Sequence, residues 1–552
     1  MPKQFFLLLS VVLTLLACSK TEVSLTPTPI IKTLNINSVQ VNRIGLTSST
    51  TLYGIAIKTF PVIKIVFSDT INLKSLNTSA ITWGGTIGSN YSAAIGENPK
   101  TLLITSTVLP AALSAYTLTI NSGSNLGGNI SASFSANFIT QIDSTAKFPT
   151  LSDDDLLTKI QQQTLHYFTD YAHPISGMAR ERLNSGETVT TGGTGFGLMA
   201  VLAGINRGFV TRTVGYTLIN KVVTFLNEKA DKFHGAYPHW MNGSTGKVIP
   251  FSTKDDGGDL VETAYLMQGL LTVNEYFNSG SVVEKAMCDT IQKLWKNVEW
   301  DWYRQNGQNT LYWHWSPDYA WAINMPIAGY DEALIVYVLA AASPTHPITK
   351  SVYDLGWAKS GAIRNGKLFE GITLPLGSDY GGPLFFAHYS FLGLDPRKLS
   401  DQYANYWVQN VAHSQINNRY CIRNPQNNYG YSADSWGLTA SDISTGYTAS
   451  SPTNDVGTIA PTAALSSFPY TPTESMKAAR FFYYQLGDKL WSDYGLKDAF
   501  NLNQCWFASS YLAIDQGPVV VMIENYRSQL LWNLFMQNSD VKNGLNSLGF
   551  SY

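Results

Sequence analysis

The chain has 552 residues, which is too long for one ordinary domain and indicates at least two. Charged residues make up 14% of the sequence, well below the roughly 25% of an average soluble protein, and the formal net charge is −2. Phosphate binding needs a basic face, so this balance excludes nucleic acid as a partner and favours a neutral ligand.

The first 18 residues predict an export signal. Lys3 precedes the apolar stretch Phe5–Leu16, which is too short to span a bilayer. The stretch ends in Leu-Leu-Ala-Cys, which resembles a bacterial lipobox, where the peptide is cut before the cysteine and a lipid is attached to its thiol. We therefore expect lipid attachment at Cys18 and a cell-envelope lipoprotein, periplasmic or on the outer-membrane surface. An ordinary cleaved signal is the alternative.

Residues 19–35 are rich in Thr, Pro and Ser and predict a tether. From 36 to 142, short β-type runs are separated by turn residues, for example Val62–Phe67, Thr101–Thr105 and Tyr116–Ile120. Strands at this spacing, with no helical pattern between them, predict a small β-sandwich that resembles immunoglobulin-like modules. It holds no cluster of catalytic residue types, so we expect a spacer or scaffold.

Helical patterns dominate residues 151–552 and make the chain mainly α. About ten to twelve helices in hairpins, with no parallel sheet, suggest an (α/α)6 toroid whose loops meet over one mouth. The alternative is an irregular helical domain. Beyond the first pattern at 156–168, helices are expected near 195–207, 212–229, 257–278, 281–297, 328–342, 399–413, 473–492 and 519–536.

The densest acidic cluster is Lys254–Glu262. Asp255, Asp259 and Glu262 fall at i, i+4 and i+7, which on a helix is one face. Crowded carboxylates raise one another's pKa, and this keeps a general acid protonated near neutrality. The alternative is that Asp255 or Asp256 caps the helix and the others form ion pairs.

A second acid, Glu332, is predicted to begin a helix in the segment Pro326–Leu334. It follows the aromatic stretch Trp313–Trp321, which includes Trp315. Indole faces stack on sugar rings, so an acid beside them predicts a carbohydrate site. Core packing is the alternative for the aromatic stretch.

Further acids and bases are scattered along the chain. Asp515 is expected in a loop before an apolar helix from Val519 onward, where capping that helix is its alternative role. Asp455 lies in another loop. Arg180 and Arg182 are candidates for binding an acidic group or holding carboxylates ionised.

No motif for a metal or cofactor stands out, and we expect neither. None of the histidines has zinc-type spacing, and the glycine-rich segment Thr191–Gly197 lacks a preceding strand, which makes it weak evidence for phosphate binding. The three cysteines after Cys18 are far apart and are expected to be buried thiols, with a bridge between two of them as the alternative. The residues alone predict a carboxylate-based sugar enzyme.

From about residue 153 onward, the chain resembles the glucoamylase-like domain of glycoside hydrolase family 144. The similarity covers nearly the whole helical region. The stretches that carry it are Thr194–Met199, Phe233–Trp240, Lys254–Glu262, Tyr312–Pro317, Tyr380–Phe385 and Ala513–Tyr526.

This resemblance implies a toroid and activity on β-1,2-glucan, most typically endo cleavage to sophoro-oligosaccharides with inversion. It places Asp255, Asp259, Glu262 and Glu332 in the substrate pocket. We expect Glu332 to be the general acid and Asp515 the base, with Asp259 and Glu262 as alternatives. The side chains expected to bind substrate are Asp255, Arg180, His239, Trp240, Trp313, Trp315, Tyr330 and Asp455.

Three other functions stay open from the sequence. An exo-acting member of the same fold would release sophorose or glucose from a chain end. A non-catalytic surface glycan-binding lipoprotein would keep the aromatics but has no need of several acids. A toroidal polysaccharide lyase usually needs a basic site. We expect a monomer that binds a glucan and touches the membrane only through its lipid.

Overall fold

The computed structural model describes residues 32–77 and 79–552. The predicted signal, Cys18 and most of the predicted tether lie outside the described residues. The chain divides into two compact units. One comprises residues up to Thr51, Phe60–Leu109 and Thr117–Asn137, and the other comprises Leu52–Thr59, Pro110–Tyr116 and Phe138–Tyr552.

The strands before residue 141 build three sheets, with orders β3-β2-β5-β8-β7, β4-β11-β9-β6 and β1-β10. Side chains of β5 alternate between buried and half-buried, because the sheet covers one face of the strand. The three strands expected here are confirmed as β5, β8 and β9. The eleven strands are β1 Thr33–Leu34, β2 Ile36–Val41, β3 Ile44–Leu46, β4 Thr51–Ile55, β5 Val62–Phe67, β6 Ile81–Trp83, β7 Tyr91–Ile95, β8 Thr101–Ser106, β9 Ala115–Ile120, β10 Asn129–Ile130 and β11 Phe134–Thr140.

The rest of the chain is mainly helical. Helix α2 packs on α4 and α12, α1 packs on α12, and α4 packs on α5, α6 and α13. The α-helices are α1 Asp153–Thr169, α2 Thr191–Asn206, α3 Arg212–Glu228, α4 Leu260–Phe277, α5 Val282–Lys296, α6 Leu334–Ala342, α7 Lys350–Val352, α8 Tyr406–Arg423, α9 Pro461–Leu465, α10 Pro472–Arg480, α11 Gly487–Leu490, α12 Ala513–Arg527, α13 Leu530–Phe535 and α14 Ser539–Leu548.

The helices expected near 195–207, 212–229 and 281–297 are confirmed as α2, α3 and α5. Other boundaries were wrong. The helix expected from 257 begins at Leu260 and the one from 328 begins at Leu334, because aspartate side chains hold the preceding residues in turns. The helix expected over 399–413 begins later, as α8. The helix expected over 473–492 is interrupted by the π-helix Phe481–Gln485. The helix expected over 519–536 is divided into two helices, α12 and α13, and α12 begins earlier, at Ala513.

Short strand pairs lie in the loops between these helices. The pair of β15 and β17 matters most, because it places Gly258 opposite Trp315 and Asp259 opposite His314. The acidic cluster and the aromatic stretch are thereby joined. The loop strands are β12 Thr188–Thr190, β13 Trp240–Asn242, β14 Val248–Ile249, β15 Gly258–Asp259, β16 Leu311–Tyr312, β17 His314–Trp315, β18 Pro326–Ile327, β19 Leu368–Phe369, β20 Ile372–Thr373, β21 Ala440–Ile443, β22 Gly446–Ala449, β23 Trp491–Ser492, β24 Gly495–Leu496, β25 Phe500–Asn501 and β26 Trp506–Phe507.

The glycine-rich segment is the start of α2, where it permits close packing on α4. A Cβ atom on Gly195 would lie 2.2 Å from the Tyr265 carbonyl oxygen, and one on Gly269 would lie 2.3 Å from the Gly195 carbonyl oxygen. Neither site has room for a larger residue. The glycines therefore serve helix packing.

The three cysteines of the described chain are free thiols, with Cys288 and Cys421 buried and Cys505 half-buried. Within residues 32–77 and 79–552, no helix combines the length and the apolar character that crossing a membrane requires.

Candidate active site

A cavity of about 410 Å³, here called the acid-lined pocket, opens where several helices begin. Helices α2, α4 and α12 all start beside it, so the positive ends of three helix dipoles face it and favour negative charge there. Its ionisable lining residues are Glu181, Arg182, His239, Glu262, Tyr265, Glu332, Tyr389 and Tyr447, and its other aromatic residues are Trp240, Phe251, Trp313 and Phe385.

Asp259 is the N-cap of α4, whereas the sequence predicted that it lies on a helix face. Its Oδ1 accepts hydrogen bonds from the N–H groups of Val261 and Glu262, both over 2.9 Å. Its Oδ2 lies 2.9 Å from His239 Nδ1 and accepts a hydrogen bond from Trp313 Nε1 over 3.2 Å. The carboxylate is fully buried and both oxygens are bonded, so it anchors His239 and Trp313.

Glu262 lies in the first turn of α4 and faces the acid-lined pocket. The N–H of Gly192, at the start of α2, donates to its Oε2 over 2.6 Å. Burial raises the pKa of Glu262, while His239 opposes that rise. For His239, burial opposes the charged form, but Glu262, Asp259 and Asp255 outweigh it and raise the pKa to about 9. His239 therefore supplies the positive charge that balances these three carboxylates.

Asp255 was also expected on the helix but lies in the loop before it. Its Oδ1 is 2.9 Å from His314 Nε2. One ligand atom each from His239, Asp255 and Asp259 lies within 4.8 Å of the others, a spacing that a metal ion can use. Asp259 Oδ2 already accepts a hydrogen bond from the Trp313 indole N–H, and a cation at that oxygen would be repelled by this donor. The geometry fits a hydrogen-bond network better than a metal centre.

Glu332 lies two residues before α6, in a turn, whereas the sequence placed it at the helix start. The Asp331 carboxylate accepts a hydrogen bond from the Ala333 N–H over 2.8 Å and holds this turn. Burial, and then the charges of Asp331, Asp259 and Glu262, raise the pKa of Glu332 well above its usual range. This direction favours the protonated carboxyl group, which is the form that can give a proton. We call Asp259, Glu262 and Glu332 the glutamate group.

A second set of carboxylates stands beside the acid-lined pocket, and we call Asp442, Asp498 and Asp515 the aspartate group. Asp515 lies in the first turn of α12, whereas the sequence placed it in a loop. Asp498 and Asp515 are each 2% exposed. Asp515 acts electrostatically on Tyr389, which lines the pocket. The charges of Glu332 and Glu262 also act on Tyr389.

Arg182 lines the acid-lined pocket and bonds to one member of the aspartate group. Arg182 Nη1 donates to Asp442 Oδ1 over 3.0 Å, and its Nε donates to Glu181 Oε2 over 2.8 Å. Burial opposes the charge on Arg182, but Glu181 and then Asp442 outweigh it and raise its pKa. Arg182 thus stays charged between two carboxylates.

The structure brings most of the expected site residues together. Glu262, Glu332, His239, Trp240 and Trp313 line the pocket. Asp259 lies against the pocket residue His239, Asp255 lies against His314, which does not line the pocket, and Asp515 lies near the pocket residue Tyr389.

Five residues expected to bind substrate are not among those that line the acid-lined pocket, and one of them is Asp255, described above. The Arg180 guanidinium lies over the Tyr171 ring at 4.8 Å. The Trp315 ring instead contacts His234, with ring centroids 5.1 Å apart. The remaining two are held by hydrogen bonds elsewhere: Tyr330 with Asn410, and Asp455 with Tyr420, Asn428 and Tyr431.

Several residues in or beside the acid-lined pocket were not singled out from the sequence. Tyr265 and Tyr389 carried no signal, because tyrosines at helical spacing are usually core residues. Asp498 is an isolated acid in a loop. Arg182 was weighed together with Arg180, and strand alternation would put both on one face, so no sequence signal distinguishes the one that lines the pocket.

Comparison with known proteins agrees with the family resemblance found in the sequence. The family model "Putative glucoamylase" matches residues 324–539. An endo-β-1,2-glucanase from Chitinophaga pinensis, solved with sophorotriose and glucose, is 53% identical, and the match covers 73% of this chain and 99% of that one with a TM-score of 0.71. The chain belongs to glycoside hydrolase family 144.

Other relatives differ in length. A β-1,2-glucanase structure from Parabacteroides distasonis is 37% identical, and the match covers 94% of this chain and 73% of that one with a TM-score of 0.71. The exo β-1,2-glucooligosaccharide sophorohydrolase (non-reducing end) of the same organism is 47% identical over 431 residues, which is 74% of this chain. The chain spans 60% of the length of that curated relative.

Proposed function

We propose that this family 144 chain hydrolyses β-1,2-glucan, by endo cleavage to sophoro-oligosaccharides with inversion at the anomeric carbon. One observation carries the proposal: Glu332, whose pKa is raised well above its usual range, lines a pocket that has a separate carboxylate group near Tyr389. Inverting hydrolysis needs an acid on one side of the bond and a base on the other. The strong similarity to a β-1,2-glucanase supports the substrate.

In this mechanism Glu332 donates its proton to the glycosidic oxygen as the bond to the anomeric carbon breaks. Asp515 takes a proton from the water that attacks the opposite face of the sugar. Trp240, Phe251 and Trp313 offer aromatic faces for stacking on the glucosyl rings. Asp259 and Glu262 are the alternative bases, although the bonded oxygens of Asp259 suit an anchoring role better.

The surrounding architecture belongs to the same proposal. The helical unit is an (α/α)6 toroid, because helices that start at one pocket and pack on their neighbours suit a ring of hairpins. The first unit is an immunoglobulin-like spacer, and Cys18 carries a lipid that holds the enzyme in the cell envelope. Residues 1–18, 19–35, 36–142 and 151–552 remain the proposed signal, tether, spacer and catalytic domain.

An exo-acting enzyme is the second candidate. It is favoured by the similarity to the sophorohydrolase, which shares 47% identity over 431 residues. Endo and exo enzymes differ in whether loops close one end of the cleft, and here the half-exposed Phe251 packs on His239 and Trp240 at the pocket wall.

Product analysis separates these candidates. The protein from residue 21 onward is incubated with linear β-1,2-glucan, and β-1,3- and β-1,4-glucans serve as controls. We expect a ladder of short oligosaccharides from the β-1,2-linked polymer alone. Release of only sophorose or glucose would establish exo action. A folded sample that leaves all three glucans intact would refute hydrolysis and favour a glycan-binding lipoprotein.

A further inference from the structure

A second cavity, of about 420 Å³, adjoins the acid-lined pocket, and we call it the side cavity. Arg182 and Tyr447 line both cavities, so the two meet at these side chains. Glu332 and Glu262 line the acid-lined pocket and not the side cavity. The side cavity therefore extends the site away from these acids.

The hairpin of β21 and β22 forms the wall between the two cavities. Ala440, in β21, lines the acid-lined pocket, whereas Ile443 and Gly446 line the side cavity. Tyr447 lies opposite Asp442 in the strand pair and is 49% exposed. A ligand that occupied both cavities would pass the Tyr447 side chain.

Hydrogen bonds from three other segments hold this hairpin in place. The Asp442 N–H donates to Asp498 Oδ2 over 2.7 Å. The Asp442 carboxylate accepts hydrogen bonds from Arg182 Nη1, over 3.0 Å, and from the Ser510 hydroxyl. Because these bonds exist before any ligand binds, little ordering is needed to form the side cavity.

The opposite wall of the side cavity comes from β26 and carries an indole. Trp506 and Phe507 both line the cavity. The Phe507 ring stacks on Phe500, with centroids 6.0 Å apart and an angle of 20° between the rings. Trp506 is half-buried, and within residues 32–77 and 79–552 neither Trp506 nor Tyr447 stacks on another aromatic ring. Trp506 is therefore suited to stack on the apolar face of a sugar ring.

The charges of the side cavity are already paired. Its charged lining residues are Arg182 and Asp442, which form an ion pair with each other. Arg182 Nε also donates to Glu181 Oε2 over 2.8 Å. A phosphate or carboxylate ligand would need a cation that is not yet neutralised. The paired charges, the exposed Ser509 and the indole suit a neutral ligand rich in hydroxyl groups.

We propose that the side cavity binds glucosyl units of the same β-1,2-glucan chain whose scissile bond lies at Glu332, with Trp506 as the stacking residue. The inference rests on the proposed function. A chain bound in both cavities passes Arg182 and Tyr447, and its remote units contribute binding energy that positions the scissile bond. Trp506 thereby sets a preference for long chains over short ones.

The test compares Trp506→Ala with the wild type on β-1,2-linked gluco-oligosaccharides of increasing length and on the polymer. In the wild type, kcat/KM should rise with length until the side cavity is filled. In Trp506→Ala this rise should stop at a shorter length. The KM for the polymer should increase by about 10-fold, while the shortest oligosaccharide that is cleaved keeps its wild-type rate.

Two further variants separate stacking from a structural role. Trp506→Phe keeps an aromatic face and should retain most of the length dependence. Trp302→Ala is the matched control, because Trp302 is 40% exposed and lines neither cavity, and it should leave the length dependence unchanged. Thermal unfolding checks that each variant is folded. An equal loss of activity by Trp506→Ala at every length would overturn the proposal.

Calorimetry tests the side cavity without any need for activity. The longest oligosaccharide is titrated into Glu332→Gln and into the double variant Glu332→Gln/Trp506→Ala, and its Kd should be about 10-fold higher for the double variant. Equal Kd values would refute binding in the side cavity and leave the proposed function intact. A difference in Kd, together with a wild type that hydrolyses no glucan, would refute the proposed function while supporting the binding site.

Discussion

The glutamate group and the aspartate group bury negative charge beside one pocket in two different ways. In the glutamate group, Asp259 is satisfied by backbone N–H groups, an indole and the charged imidazole of His239. In the aspartate group, Arg182 neutralises Asp442, while burial raises the pKa of Asp498 to about 7 and that of Asp515 well above its usual range. Buried carboxylates survive only when they are paired or neutralised. In the proposed mechanism the first group gives a proton and the second takes one.

Replacing the proton donor should have the largest effect. Glu332→Gln keeps the shape but has no proton to give, so kcat on β-1,2-glucan should fall by about 10³-fold. The rate of appearance of reducing ends measures this, and thermal unfolding checks the fold. Glu275→Gln, near the opposite end of α4, should keep the wild-type rate. A Glu332→Gln enzyme with a tenth or more of the activity would remove Glu332 from the role of acid.

Replacing the proposed base should have the next largest effect. Asp515→Asn removes the oxygen that takes the water proton, so kcat should fall by about 10²-fold with little change in KM. Initial rates over a range of glucan concentrations separate the two parameters. If Asp515→Asn keeps most of its activity while Glu332→Gln loses it, the base belongs to the glutamate group, with Glu262 first in line.

Replacing the histidine should give a smaller effect that depends on pH. The pKa of His239 is raised from 6.5 to about 9 in the folded protein. A raised pKa contributes stability that is fully present below pH 6.5 and is lost as the pH rises through about 9. The difference in unfolding free energy between wild type and His239→Gln should therefore be largest below pH 6.5 and shrink towards pH 9. Urea unfolding at several pH values measures it, and a difference that does not vary with pH would mean that His239 is neutral.

The sequence predicted Asp259 and Glu262 of the glutamate group because these two, with the neighbouring Asp255, are close together in the chain. Asp255, Asp259 and Glu262 lie within eight residues, and periodicity located the helix that follows them. Its start was misplaced because periodicity does not tell a capping aspartate from one inside the first turn. The position of Glu332 failed for the same reason, since side-chain bonds of Asp331 hold the turn before α6.

The aspartate group was largely invisible in the sequence. Asp442, Asp498 and Asp515 come from three segments that only the fold brings together, and none lies in an acidic cluster. Asp455 was chosen by the same kind of loop argument as Asp515, yet it proves to be held by Tyr420, Asn428 and Tyr431. Local composition cannot distinguish an aspartate that supports a loop from one that supports a pocket.

The most direct test of the account is the anomeric configuration of the first product. Proton NMR follows the reducing end released from linear β-1,2-glucan during the first minutes, before mutarotation mixes the anomers. The account predicts that the α-anomer appears first, because an acid and a separate base act on opposite faces of the sugar. If the β-anomer appears first, one of these carboxylates is a nucleophile and the division of roles between the two groups is wrong.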